Sequence, residues 1–424
     1  MSPSRTVLGM PQKQLLYHVS NSITAHKAAF LDINTKIHQN PELKYQEYEA
    51  HDNICDLFEG LGYSVIRHAH GIETSFEVES GSGGRLIVFN AEYDALPGIG
   101  HACGHNLIAT SSIAAFIATA EAIKKSNVPG RVRLLGTPAE ESGGGKIKLI
   151  KAGAYHGVDA CLMAHPGPST MHGVGSKIAI DGVSATRSLA RKQVFVTFKG
   201  KNAHAGLKPW DGNNALDAIV ASYVNISLLR QQIHPTARIH GVIRQGGAEP
   251  NIIPDSACLE YFIRDTSADC VNDLATRVEK CFKAGALATN CSVECVWNDE
   301  ADYKDLRPNM TLAEIFTGHM ASLGKTYYCD GRAEGMGAST DMGNVCYEVP
   351  GFHCSFSVGS DVQNASPHNP KFAAAAATVS AFENAMACAQ GMAITAYDIL
   401  VDDEQFERVR LEFMEELGAA GIRR

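Results

Sequence analysis

Between Ala91 and His105 the chain reads AEYDALPGIGHACGH: two carboxylates, a cysteine and two histidines among turn residues, directly after the apolar run Leu86-Ile87-Val88-Phe89. Thiolate, imidazole and carboxylate are the donors that a borderline cation such as zinc takes. The apolar run reads as a short buried strand, Pro97, Gly98 and Gly100 break it, and the segment from Leu107 onward reads as a helix. A strand end carrying Asp94 and a helix start carrying Cys103 and His105 would meet at the edge of an α/β sheet, where such folds place their ligands. Taken alone, Cys103 is more often a small buried hydrophobe, and His101 reads as structural. Company further along the chain turns these residues into a site.

The run RVRLLGTPAEESGGG, residues 131–145, predicts a strand ending at Gly136 with Glu140 and Glu141 at its tip. Adjacent carboxylates in a partly buried turn repel one another unless a cation binds one or a proton rests on the other. A useful division is that Glu141 binds metal while Glu140 takes a proton from water. A solvated acidic turn is the alternative. CLMAHP, residues 161–166, ends another strand in His165, and NASPHNP, residues 364–370, presents His368. Cys103, His105, Glu141, His165 and His368 are thus five candidate ligands, four following separate strands and one opening a helix. Two metals sharing a bridging ligand would use them well, because a two-metal site both activates water and polarises a carbonyl.

Such residues must be positioned by alternating strands and helices, and the chain has these from Lys27 to Ile180. Ile54, Leu57, Phe58 and Leu61 share one helical face, and strands are predicted near Leu86, Val132 and Cys161. Near residue 190 the texture changes. Val194, Val196 and Phe198 alternate as a strand, 214–229 reads as a helix, 238–243 and 258–263 as strands, 270–284 as a helix and 291–297 as a strand. This βαββαβ order is the ferredoxin-like arrangement. From Asp305 the first texture resumes. The expected architecture is an α/β catalytic domain of residues 1–188 and 306–424, with a ferredoxin-like lid, 189–305, inserted between. Phe372 to Ile394 reads as one buried small-residue helix, and 402–417 as a charged amphipathic helix packing on one side.

Composition bounds the partners. A chain of 424 residues exceeds the usual single core, and 45% apolar with 20% charged residues is ordinary for a soluble globular enzyme. A net charge of -9 and no basic run with interleaved aromatics make nucleic acid an unexpected partner. The start, MSPSRTVLGMPQKQLLYHVSNS, lacks the apolar core of a secretory signal, and Glu383 and Asn384 interrupt the most apolar stretch, so no membrane span is expected. Twelve cysteines without a framework spacing read as reduced thiols, so a cytoplasmic location is expected.

In chain order, AEYDALPGIGHACGHN, PAEESGGG, MAHP, GKNAHAG, GGAEPNIIP and GASTDMGN resemble the M20 metallopeptidase and amidohydrolase family, over roughly residues 25–395. The resemblance is closest to the branch of aminoacylase-like amidohydrolases, aminobenzoyl-glutamate hydrolase subunits and β-alanyl-lysine dipeptidase. It implies two divalent metal ions, zinc or manganese, in a catalytic domain, and a homodimer formed through the lid. By resemblance Cys103 is the bridging ligand, His105, Glu141, His165 and His368 are terminal ligands, Glu140 is the general base, and Asp94 orients a ligand. Many relatives have a histidine two positions before that aspartate, where this chain has Glu92, and some have a histidine or threonine where it has Asn369. In the lid, His204 resembles the histidine that crosses the dimer interface to stabilise the oxyanion. Asn251 and Arg264 resemble groups that hold a substrate carboxylate, for which the bidentate guanidinium is suited.

The implied activity is hydrolysis of an amide bond in a dipeptide or N-acyl amino acid. Two other readings share this sequence: an amide-forming or intermediate-trimming enzyme, and a catalytically silent zinc- or peptide-binding protein. A structural zinc needs four closed ligands and no adjacent base, so Glu140 weighs against the last.

Overall fold

Four apolar runs form the parallel centre of the larger sheet, Gly130–Gly136, Leu86–Ala91, Ala160–Gly167 and Gly351–Ser357, side by side in that order. Every residue of Leu86–Ala91 and Gly351–Ser357 is buried, as in parallel strands covered on both faces. The structure, a computed structural model, describes residues 9–172, 179–331 and 337–419. Phe76–Ser82 and Val65–Arg67 extend the sheet on one side and Gly182–Val183 and Tyr327–Tyr328 on the other, making eight strands among the described residues.

The winding places the site. From Leu86–Ala91 the chain pairs first with Gly130–Gly136 on one side, then returns to the other side as Ala160–Gly167. The loop after Ala91 therefore leaves the sheet where its winding reverses, and in such folds a crevice opens there beyond the carboxyl ends of the strands. The helix following this loop, His105–Ser126, packs against the helices Gln12–Gln39 and Val379–Val401. It is apolar and long enough to cross a membrane by composition alone. Since 94% of its most apolar window is buried, the core accounts for that composition.

The alanine-rich stretch that reads as one helix is two. Pro370–Ala376 and Val379–Val401 meet at a 67° bend. Thr378 caps the second by accepting from the Ala381 N–H, a local bond that competes with helix continuation in an otherwise permissive alanine run. The charged C-terminal helix, Asp403–Ala419, buries Val409, Phe413 and Leu417 on one stripe. Its Glu412 accepts from the N–H groups of Met310 and Thr311 at 2.6 and 2.8 Å, satisfying the start of the helix Met310–Ser322.

Chain contacts divide the protein into two compact units. The first comprises Met1–Arg187, Leu306–Glu334 and Asp341–Arg424, the second Ser188–Asp305 and Gly335–Thr340. The second unit has an antiparallel sheet with strand order Arg238–Gln245, Ser256–Asp265, Ala190–Lys199, Ser292–Trp297. Val194, Val196 and Phe198 point from it into a core shared with the helices Ala215–Leu229 and Ala268–Ala288. Asn214 and Ser267 cap those helices, and the topology is ferredoxin-like.

Candidate metal centre

The donors assemble at the carboxyl edge of the parallel strands in the first unit. Cys103 comes from the loop after Ala91 and His105 from the first position of the helix that follows it, Glu140 and Glu141 from the turn after Gly136, and His368 from the loop after Ser357. His165 lies inside its strand, which continues to Gly167. Its place on the edge comes from strand register, since His165 pairs with Ser355. The backbone N–H of His368 donates to the Ala102 carbonyl at 2.8 Å, tying the last loop to the first.

Three sets of three donors result among the described residues, and two of them share Cys103. The ligand atoms of Cys103, His105 and His165 lie within 4.8 Å of one another, as do those of Cys103, Glu141 and His368. For metal bonds of about 2.0–2.3 Å in tetrahedral array, neighbouring donors stand about 3.3–3.8 Å apart. Cys103 Sγ lies 3.4 Å from His165 Nε2, and Glu141 Oε2 lies 3.4 Å from His368 Nε2.

Hydrogen bonds set the tautomers. His105 Nδ1 faces Asp94 Oδ1 at 3.0 Å, and His165 Nδ1 faces the Pro166 carbonyl at 2.7 Å. Carboxylate and carbonyl only accept, so each Nδ1 carries a proton and each Nε2 is the ring atom turned toward the other donors. Asp94 holds more than one ligand, since its Oδ2 accepts from the Glu141 N–H at 3.1 Å.

The electrostatics are those of a site built around positive charge. Burial, then the charges of Glu92, Glu141 and Asp341, pushes the Glu140 carboxyl well above its usual range. Burial and Glu141 do the same to the Cys103 thiol. Burial draws His165 down to about 3, so its imidazole is neutral, as a ligand must be. For His105 burial opposes protonation, but the Asp94 carboxylate outweighs it and drives the pKa well up. His105 Nε2, Glu92 Oε2 and Glu141 Oε1 are buried without a hydrogen-bond partner. Each such atom costs about 1–3 kcal/mol, a cost that cations bound among them would offset. The residues present therefore fit a dinuclear metal site.

Gly104 shows how tightly this edge is packed. Its φ is +78°, and a Cβ there would stand 2.5 Å from Pro166 Cγ and 3.1 Å from Phe372 Cε1. Gly104→Ala is expected to cost on the order of 1–3 kcal/mol from the backbone alone, and more from the clash beside His165. A lowered melting temperature with reduced metal content would show this; an unchanged protein would mean the turn relaxes freely.

The residues assigned to substrate lie in the second unit. His204 pairs through its backbone with Ile252, and the Ala205 N–H donates to the Asn251 carbonyl at 2.9 Å, so His204 and Asn251 occupy neighbouring segments. His204 Nδ1 accepts from the N–H groups of Gly206 and Leu207, both at 3.1 Å. Arg264 Nη1 donates to Ser339 Oγ at 2.8 Å and stands opposite Arg191 in the sheet. Burial, then Arg191, lowers its pKa to about 10.

Three site residues were given no role from the sequence. Lys146 and Asp341 are fully buried beside Glu92, and Glu47 Oε1 accepts from the Ala139 N–H at 2.9 Å, supporting a residue held at φ +61° next to Glu140. Lys146 reads as one more lysine in GKIKLIK, whereas Asp341 lies within the GASTDMGN motif. Asn369, which departs from other members of the resembled branch, caps the helix Pro370–Ala376 by accepting from the Lys371 N–H at 2.9 Å.

Residues 88–393 match the family model of Peptidase family M20/M25/M40. The Xaa-Arg dipeptidase of Mus musculus is 39% identical over 387 residues, covering 88% of this chain and 86% of its own. A p-aminobenzoyl-glutamate hydrolase subunit of Escherichia coli (strain K12) is 32% identical over 318 residues, 71% of this chain and 63% of its own. Among solved structures, the Bacillus subtilis YXEP protein, a dinuclear metal binding peptidase from M20 family, superposes with a TM-score of 0.66 at 22% identity, over 89% of this chain and 99% of that one. An aminobenzoyl-glutamate utilization protein from Klebsiella pneumoniae gives 0.67 at 18% identity, over 91% and 98%. These two share the fold.

Proposed function

We propose, from the premise that this chain belongs to peptidase family M20/M25/M40 and is a metal-dependent amide hydrolase of it, that it is a dinuclear zinc dipeptidase. Its substrate would be a dipeptide or N-acyl amino acid whose leaving residue bears a free carboxylate. The similarity to Xaa-Arg dipeptidase supports a cationic residue there. The observation that carries the reading is the pair of donor sets sharing Cys103, with Glu140 next to the ligand Glu141.

Cys103, His105 and His165 would hold one ion, and Cys103, Glu141 and His368 the other. Two such ions supply water activation and polarisation of the scissile carbonyl. Glu140 takes the proton of the attacking water and returns it to the departing amine. Positive charge in the adjacent donor sets opposes the upward shift of its carboxyl, bringing it toward the range where one group can both accept and donate. Asp94 fixes His105 and the Glu141 backbone. His204 is proposed to stabilise the oxyanion, Asn251 and Arg264 to hold the carboxylate, and the second unit to form a homodimer. A cytoplasmic location suits a protein with twelve free thiols, one of them a proposed ligand.

The test is a product-detected screen of the zinc- and manganese-loaded protein against dipeptides ending in arginine or lysine, β-alanyl dipeptides, p-aminobenzoyl-glutamate and N-acyl amino acids. Turnover of carboxylate-bearing substrates with about two metals per chain supports the reading. No turnover and a single tightly held metal would remove it. In the same assay Arg264→Ala should raise KM for free-acid substrates far more than for their amidated analogues, because only the former lose a charge-assisted pair. Equal effects on both would place Arg264 in the structure of the second unit.

A further inference from the structure

Beneath the centre lies a buried charge cluster that the mechanism above does not use. Lys146, fully buried at the start of the helix Gly145–Lys151, forms ion pairs through Nζ with Glu92 Oε1 and, at 2.7 Å, with Asp341 Oδ1. Its backbone N–H donates to Asp341 Oδ2 at 2.9 Å. Asp341 thus has both oxygens satisfied. Glu92 does not: its Oε2 is fully buried, has no hydrogen-bond partner, and faces His105 Nε2 at 3.6 Å.

A hydrogen bond does not explain that contact. At 3.6 Å the separation is too long for one. The distance is instead close to the spacing of about 3.4 Å between two donors on one tetrahedral cation. The ligand atoms of Glu92, His105 and Glu140 also lie within 4.8 Å of one another, with Glu140 Oε2 farther from His105 Nε2, at 4.0 Å.

We propose that Glu92 Oε2 is a sixth protein donor of the metal centre, binding the ion at His105 Nε2, and that Lys146, anchored by Asp341, is the residue that positions it. The inference rests on the dinuclear reading above. Asp341 offsets the ammonium charge, so Glu92 retains its own for the cation. The side chain is also held by one oxygen, which aims the other. Glu92 would thereby add a donor on the side of His105 that faces Glu140.

Glu92→Gln tests this cleanly, because the amide oxygen can still accept from Lys146 while the amide nitrogen that replaces Oε2 cannot bind metal. Apo protein would be titrated with zinc against a chromophoric chelator, with stoichiometry from elemental analysis and folding checked by circular dichroism. One of the two ions should bind at least about tenfold more weakly and the other within a few fold of the parent, since loss even of outer ligand supports costs 10–100-fold. Lys146→Met should weaken the same ion. Two ions held with parent affinity by folded Glu92→Gln, or equal loss of both, would overturn the assignment while leaving the dinuclear reading intact. Failure of the unmodified protein to bind two ions would instead strike that reading. If Glu92→Gln does not fold, a crystal structure of the zinc-loaded parent decides. Glu92 Oε2 at about 2.0–2.2 Å from a metal supports the proposal, and one beyond bonding distance removes it.

Discussion

Glu140→Gln is expected to carry its full complement of metal and to turn over substrate at least about a hundredfold more slowly than the unmodified protein, because general-base catalysis supplies a factor of about 10²–10⁴. Glu140 is 7% exposed and sits against Glu141, whose oxygens face His105 and His368 at 3.7 and 3.4 Å. An amide of the same shape preserves that packing and removes only the basic oxygen. The loss should fall on kcat with KM little changed, since the missing interaction is made in the transition state. Elemental analysis beside steady-state kinetics separates the two effects. Near-parent activity would take Glu140 out of the mechanism, and metal loss in step with activity would make it a ligand.

Cys103→Ser should have the opposite signature, with metal lost first and activity following it. Cys103 Sγ belongs to both donor sets, so its replacement weakens both ions, whereas Glu92→Gln should weaken one. A serine hydroxyl is a harder, less basic donor than a thiolate and a poorer partner for zinc. The affinity loss should exceed the 10–100-fold typical of an outer support. After dialysis against a mild chelator, metal per chain should fall well below that of the parent. Excess zinc in the assay should restore part of the activity if the site is otherwise intact. Full occupancy and unchanged turnover would mean that Cys103 is a buried structural thiol.

The amide-hydrolase activity and the outline of the fold were readable before any coordinates, for a physical reason. Buried parallel strands leave unbroken apolar runs such as Leu86–Phe89 and Cys161–Ala164, half-buried antiparallel ones leave alternation such as Val194, Val196 and Phe198, and donor residues stand out when they follow such runs. Periodicity missed the break at Thr378, because capping is a local hydrogen bond that leaves composition unchanged.

What residue types and spacing determined about this protein is the inventory: one thiol, three imidazoles and an acidic pair, each beside a strand, and a second domain of βαββαβ order. Which of them meet was decided by the tertiary structure alone. Strand register carries His165 to within 3.4 Å of Cys103, 62 positions away, and the bond from the His368 N–H to the Ala102 carbonyl holds the loop that sets His368 against Glu141. The burial of Lys146 between Glu92 and Asp341, 54 and 195 positions distant, has no linear trace. One lysine among several in a helix reads as solvated, and only the low-dielectric surroundings built by distant segments compel it to find two carboxylates.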